Sequence, residues 1–302
     1  MLHNWPLLLL LILLQFSFTF PVKATTLWLK QAPSRIVSLS PHITETLFAL
    51  GAGSKVIAVT RYCDYPNEAI ALPSIGGLVD VNIEAIVALN ADLVILLSSQ
   101  QAVQQQLKSL GIRTLTVSSR TLVDIKSTIR HVGIATGYQQ EATQLLRHMT
   151  EQITAMQLAV KPLAKPTVMI SVSHPLGDNA LHSVYIAGQQ DFYNDLLQIA
   201  GGENVYRRPY PIVPHISLEG ILNLNPDVII DVFPEADDLS VSLDAIYAQW
   251  MTLESVQAVQ NEQVHIIQAD YATIPGPRVI TLLKHLVSIL HPELAWYQGN
   301  LK

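Results

Sequence analysis

Three histidines, a Ser-His pair and several tyrosines are the residues whose chemistry must be weighed first. His42, His174 and His215 each stand at the edge of a run that reads as secondary structure. Imidazole can ligate a metal, so together they raise the possibility of a bare transition-metal site. A bare metal needs about four side-chain ligands, and three histidines supply three. Ser173 and His174 are adjacent, but chain neighbours seldom align as nucleophile and base. No GxSxG elbow, GxxxxGK[ST] loop or HExxH helix accompanies them, so a hydrolase is disfavoured and a non-enzyme is expected. Tyr62, Tyr65 and the Asp270-Tyr271 pair follow apolar runs. A tyrosine there offers a flat apolar face with a polar tip, suited to a large planar ligand.

Those residues must be positioned by something, and the sequence writes its positioning unit twice. NIEAIVALNADLVI, from Asn82 to Ile95, and SLEGILNLNPDVII, from Ser217 to Ile230, nearly superimpose. Glu84 falls on Glu219, Ile86 on Ile221, Leu89 on Leu224, Asn90 on Asn225, Asp92 on Asp227 and Ile95 on Ile230. Each copy reads as a short helix, N-capped by Asn82 or Ser217, that runs into an all-apolar strand. Two readings of the glutamates stand side by side. A carboxylate in a first helical turn is stabilised by the helix dipole by about 0.3–1 kcal/mol. Equally, the pair is a matched set of anionic knobs, one per copy, for a two-fold partner carrying basic sockets.

Around these copies the pattern is alternation. Runs of buried-strand character at 35–40, 56–60, 93–97, 113–117, 167–172, 228–232 and 264–268 are separated by helical segments, several stopped by glycine. Continuous apolar strands between helices mean parallel sheets covered on both faces. Residues 139–160 hold no Gly or Pro. They place Ala142, Leu145, Leu146, Met149, Ile153 and Met156 at spacings of three and four, one long amphipathic helix. The expected fold is α/β: two Rossmann-like lobes with central parallel sheets, joined by one long rigid helix. The expected boundaries are 33–135 for the N-terminal lobe, 136–162 for the interlobe helix and 163–302 for the C-terminal lobe. Ligands of such sheets bind beyond the carboxyl ends of the strands.

The bulk numbers exclude several classes. The chain has 302 residues, 49% hydrophobic and 14% charged, with net charge −6 and no basic run. A nucleic-acid groove needs clustered Lys and Arg, so none is expected. Residues 1–24, with unbroken hydrophobe from Leu7 to Leu14, read as a secretory signal peptide cleaved after Ala24. A soluble periplasmic protein is expected. The single cysteine, Cys63, rules out an intramolecular disulfide and lies far from that cleavage site.

RIVSLSPHITETLFALGAG, VTRYCDYP, the two repeated segments, AGGENVY and DYATIPGPRVITLL follow one another in order. In this the chain resembles periplasmic substrate-binding proteins of the vitamin B12 and ferric-siderophore ABC importer class, most closely the cobalamin-binding branch, from about Arg35 to Pro292. The resemblance implies a class III binding-protein fold with small closure and a corrinoid ligand in the interlobe cleft. Ferric siderophore or haem is the alternative, as is bare metal through His42, His174 and His215. No cofactor of the protein's own is implied, the ligand itself being a cobalt or iron chelate. The implied partner is a permease dimer in the inner membrane, with the protein a monomer. Carried over residue by residue, Tyr62 matches a corrinoid contact, and Asp270, Tyr271, Ala272, Thr273 and Ile274 match a ligand-contacting loop. Glu84 and Glu219 match the permease-docking glutamates. Leu78 and Val213 stand where tryptophans are frequent in the cobalamin branch, with Tyr210 near enough to replace one platform, and Ile274 stands where an arginine is sometimes found.

Overall fold

A computed structural model of the chain describes residues 32–175, 181–234 and 242–294. The expected signal peptide lies outside them. In chain order the first half runs β1 (Ile36–Ser38), α1 (Pro41–Ala49), β2 (Val56–Ala58), α2 (Asn67–Ile70), α3 (Ile83–Ala88), β3 (Leu93–Leu97), α4 (Gln101–Ser109) and β4 (Thr114–Val117). Two longer helices follow, α5 (Leu122–Thr136) and α6 (Gln139–Val160). The second half runs β5 (Thr167–Ser173), β6 (Ser183–Ile186), α7 (Phe192–Ile199), β7 (Glu203–Asn204), β8 (His215–Ser217), α8 (Leu218–Leu224) and β9 (Val228–Phe233). It closes with α9 (Leu243–Met251), α10 (Gln257–Gln260), β10 (Val264–Gln268), α11 (Asp270–Thr273) and α12 (Val279–Leu290).

The first sheet has strand order β2-β1-β3-β4, every pairing parallel. The second repeats that core: β7, β9 and β10 pair parallel around β5 in the same way. It then departs from the expected all-parallel sheet. β6 turns back antiparallel on the end of β5, and β8 pairs antiparallel with β6. The reason is local. β5 reaches β6 across a short connection, too short for the crossover a parallel return needs.

Side chains of each strand divide between two faces. Ile36 and Ile95 face one core with α1, α5 and α6, whereas Val37, Val94 and Leu96 face another with Ile86 and Leu107. The first of these cores continues without a break through Met149, Met156 and Leu197 into Leu283 and Leu286 of α12. A third core, around Met169, Ile229, Ile246 and Trp250, fills the far face of the second sheet.

The two copies of the repeated unit are α3–β3 and α8–β9, and most of their matched residues have structural work. Ile86, Ile221, Ile95 and Ile230 are fully buried. Asn90 and Asn225 end their helices in the left-handed region, with φ of 50° and 43°, which Asn tolerates better than other side chains. The Asp92 carboxylate accepts from Ser34 N–H, the Ser34 hydroxyl and Arg35 N–H at the start of β1. Asp227 does the same for β5, accepting from Thr167 N–H and the Thr167 hydroxyl, each at 2.7 Å. Each aspartate thus pins the first strand of its half to its neighbour.

The long helix is present over its expected length, burying Ala142, Met149, Ile153, Met156 and Val160. It packs antiparallel on α5, whose start carries a capping box of Thr121 and Asp124. Gly133 sets that approach, because a Cβ there would lie 2.5 Å from the Ala142 methyl. From the second half, the Asp195 carboxylate accepts from Leu122 N–H at 2.8 Å and so caps α5.

Candidate functional site

The two halves meet where the loop between α11 and α12 reaches α1 and the loop after β2. The loop after α11 carries Arg278, whose guanidinium donates twice to Glu45 of α1, Nε at 3.0 Å and Nη2 at 2.6 Å. That guanidinium also lies 3.9 Å from the centre of the Tyr65 ring, in the loop after β2. Gly276 allows the contact: a Cβ there would stand 3.2 Å from the Glu45 carboxylate and 3.4 Å from the His42 Cβ. Burial pushes the Glu45 carboxyl up and Asp270 adds to that push, while the Arg278 contact pulls it down.

The first half carries exposed aromatic and apolar side chains in the segments on either side of α2. Tyr62 is 49% exposed, Tyr65 46%, and Leu78 and the tip residue Val79 are exposed too. Gln100 fixes the loop bearing Leu78 to the end of β3, accepting from Leu97 N–H and donating to the Leu78 carbonyl. Arg61 pairs with Asp80 and leans on the Tyr62 ring, 5.8 Å from its centre. In the second half Tyr210 and Val213, between β7 and β8, are exposed. The Tyr206 hydroxyl donates to the Tyr210 carbonyl, and Ile186 N–H donates to the Pro214 carbonyl, tying this segment to the end of β6.

The expected ligand loop is less open than its sequence suggests. Residues 270–273 form the short helix α11. Ala272 is fully buried, and its carbonyl accepts from the Tyr193 hydroxyl at 2.6 Å. The Tyr271 hydroxyl is shared with His285 Nδ1 at 3.0 Å. Asp270, Thr273 and Ile274 are half-buried.

The three histidines do not converge. His42 is buried at the N-terminus of α1, its Nδ1 bonded to the Ser40 hydroxyl at 2.9 Å, and burial lowers its pKa to about 4. His174 turns into the core of the second half. Its Nε2 lies 2.8 Å from Asp231 Oδ2, which also accepts from Trp250 Nε1 at 2.6 Å. Its ring meets Phe233 and Trp250 edge-on. His215 sits exposed on β8, stacked on Tyr185 and bonded to Ser183. Among the described residues no group of three metal-ligating side chains gathers, so the bare-metal arrangement through these histidines is overturned. Strand alternation explains the Ser-His pair as well: Ser173 faces out and His174 faces in.

Sequence reasoning missed Glu45, Arg278, Asp231 and Trp250. Glu45 alone left a trace. It interrupts the otherwise uncharged α1, with no Lys or Arg within a turn to pair with it, so its partner had to come from elsewhere.

Glu84 and Glu219 lie in the first turns of α3 and α8, both exposed. Asn82 and Ser217 cap those helices, accepting from Ala85 N–H and Gly220 N–H. Neither glutamate has a hydrogen bond or ion pair among the described residues.

Comparison with known proteins adds the following. The family described as periplasmic binding protein matches residues 36–271. An uncharacterised ABC transporter substrate-binding lipoprotein, YvrC of Bacillus subtilis, is 30% identical over 88% of this chain and 82% of its own length. The vitamin B12-binding protein of Vibrio parahaemolyticus is 27% identical over 84% of this chain and 90% of its own. Among solved structures, the vitamin B12-binding protein BtuF of Vibrio cholerae superposes with TM-score 0.72 at 24% identity, over 88% of this chain and 98% of that one. The haem-binding protein HutB of Vibrio cholerae superposes with TM-score 0.73 at 23% identity, over 85% and 99%. At those identities the two structures establish the fold alone.

Proposed function

The chain belongs to the periplasmic binding protein family, and we propose that it captures a corrinoid between its two halves and delivers it to an ABC importer in the inner membrane. The protein is a carrier and not an enzyme. The observation that carries the ligand reading is the junction itself. Arg278 and Gly276 of the second half meet Glu45, His42 and Tyr65 of the first, and Tyr62, in the same loop as Tyr65, is exposed. Flat aromatic faces with a few polar anchors suit a large rigid chelate. Relatives named as vitamin B12-binding proteins support the corrinoid over other chelates. Tyr62, Tyr210, Asp270, Tyr271, Thr273 and Ile274 are the assigned contacts. The Ala272 methyl is buried, so its part is confined to placing its neighbours.

The architecture assigned to this role has lobes at 33–135 and 163–302 bridged by 136–162. A signal peptide over residues 1–24 is removed to leave a soluble periplasmic monomer. No described helix is long and apolar enough to cross a membrane. Glu84 and Glu219, exposed and matched, are assigned to a permease dimer whose two subunits each present a basic socket.

Titration calorimetry of residues 25–302 with cyanocobalamin tests the ligand. Saturable one-to-one binding is expected, and no binding at several temperatures overturns the corrinoid. Haem is the second reading, favoured by the exposed Tyr62 and Tyr65 phenols, since tyrosinate is a haem-iron ligand; a Soret titration decides it. For docking, Glu84→Ala with Glu219→Ala is expected to leave ligand affinity unchanged and abolish stimulation of the transporter. Unchanged transport sinks that assignment.

A further inference from the structure

In the repeated unit, five of the six identical pairs are accounted for by the fold. Ile86, Ile95 and their counterparts are core, Leu89 and Leu224 pack against it, Asn90 and Asn225 end helices, and Asp92 and Asp227 pin strands. Only the glutamate pair has no such role. One further matched pair behaves like the glutamates. Val87 and Leu222 hold the same place in the two copies, three residues after Glu84 and Glu219. They are 44% and 41% exposed.

A single exposed Leu or Val is ordinary on a protein surface. An apolar side chain left exposed at the same helical position in both copies, beside an acid left exposed in both, is a different observation. Residues three apart on a helix are neighbours, with Cβ atoms about 5–6 Å apart, so each copy presents a carboxylate and an apolar knob side by side. The match stops there: Leu218 is 37% exposed, but its counterpart Ile83 is buried.

We infer that each half docks through a two-point contact, Glu84 with Val87 and Glu219 with Leu222, and that the partner is a protein offering a basic group beside an apolar recess, twice. This deepens the docking assignment above and rests on it. The carboxylate selects the basic group. The apolar knob, seated in its recess, keeps water from that ion pair, as apolar neighbours do around a charged hot spot. The charge complement fits the permease pair already assigned.

The test is competition. Mature protein labelled at its N-terminus is bound to inner-membrane vesicles of the source bacterium, and unlabelled variants displace it. Val87→Asn with Leu222→Asn is expected to raise the concentration needed for half displacement at least about tenfold, with melting temperature and ligand affinity unchanged. Val123→Asn with Leu158→Asn, exposed apolar residues of α5 and α6, is expected to leave it unchanged. Glu84→Gln with Glu219→Gln is run in parallel. If that acid pair weakens competition and the apolar pair does not, the two-point contact is wrong and the docking assignment stands. If neither pair weakens it, both fail. Competition lost through only one of Val87→Asn and Leu222→Asn overturns the two-fold form. Equal binding to protein-free lipid vesicles overturns a protein partner.

Discussion

His42 and His174 both follow the first strand of their half, β1 and β5, and both are buried. Their protonation nevertheless runs in opposite directions. Burial alone acts on His42 and lowers its pKa to about 4. Its one partner is the neutral Ser40 hydroxyl, and its Nε2 is buried without a partner among the described residues. Burial also depresses His174, but the hydrogen bond and charge of Asp231 outweigh it and raise the pKa above its ordinary value. The two halves share a strand order and a strand-pinning aspartate, so the strand framework does not set this difference. The partners of each ring do: a lone hydroxyl in one half, and in the other the Asp231 carboxylate, aided by the Pro175 carbonyl.

The largest effect that breaks the comparison is removal of that carboxylate. Asp231 Oδ2 accepts from Trp250 and meets His174, both fully enclosed. Asp231→Ala leaves two buried polar groups without their partner, at a cost of about 3–5 kcal/mol, read as a lower denaturant midpoint. Asp231→Asn keeps an acceptor and loses the charge. Burial then acts on His174 with only the Pro175 carbonyl at Nδ1 opposing it, and its NMR titration is expected to move down. A His174 titration that does not move downward in Asp231→Asn would show that something other than this carboxylate holds it up.

Next comes the pH dependence, where the signs differ. For His174 the folded pKa is raised, so its contribution is fully present below the unfolded value of about 6.5 and fades as pH rises through the folded one. For His42 the folded pKa is depressed. Its neutral form is required by the fold, and stability is lost as pH falls from about 6.5 to about 4. A displacement of that size corresponds to about 3 kcal/mol. Unfolding free energies of the wild type and His42→Gln, compared across pH 4–7, isolate this term because the other buried acids cancel in the difference. The wild type is expected to lose about 3 kcal/mol more than the variant on acidification. Parallel curves would remove His42 as the acid-sensitive group.

How much of this was legible in the sequence follows from what each feature depends on. The parallel cores, the long helix and the repeated helix–strand unit were readable because their signals are local: continuous apolar strands, glycine stops, and spacings of three and four. β6 and β8 were not, because 183–186 and 215–217 are short and half polar, and their pairing is decided by where the chain turns back. α11 hid in what reads as loop. The direction of His174 needed the register of β5, and the Glu45–Arg278 contact, between residues 233 apart in sequence, needed the two halves in place. Glu84 and Glu219 could be matched from sequence, but only burial shows that Val87 and Leu222 stay out with them.

The smallest effect sharpens the comparison most. Ser40→Ala removes the His42 ring's one hydrogen bond among the described residues, at Nδ1, and adds no charge and no bulk. A neutral buried hydrogen bond contributes about 1 kcal/mol net, so Ser40→Ala is expected to lower stability at pH 7 by that amount, several-fold less than Asp231→Ala. The ring stays buried, so the acid-side loss attributed to His42 is expected to persist in Ser40→Ala, with its midpoint at or below the wild-type position. Placing Asp at 40 instead should reverse the sign: a carboxylate beside Nδ1 gives His42 the kind of neighbour His174 already has. Stability of Ser40→Asp is then expected to rise, relative to wild type, as pH falls below about 6.5. If it falls instead, the desolvation of two buried ionised groups exceeds their attraction at this site. The contrast between the halves would then lie in how each encloses its histidine, and not in the partner each provides.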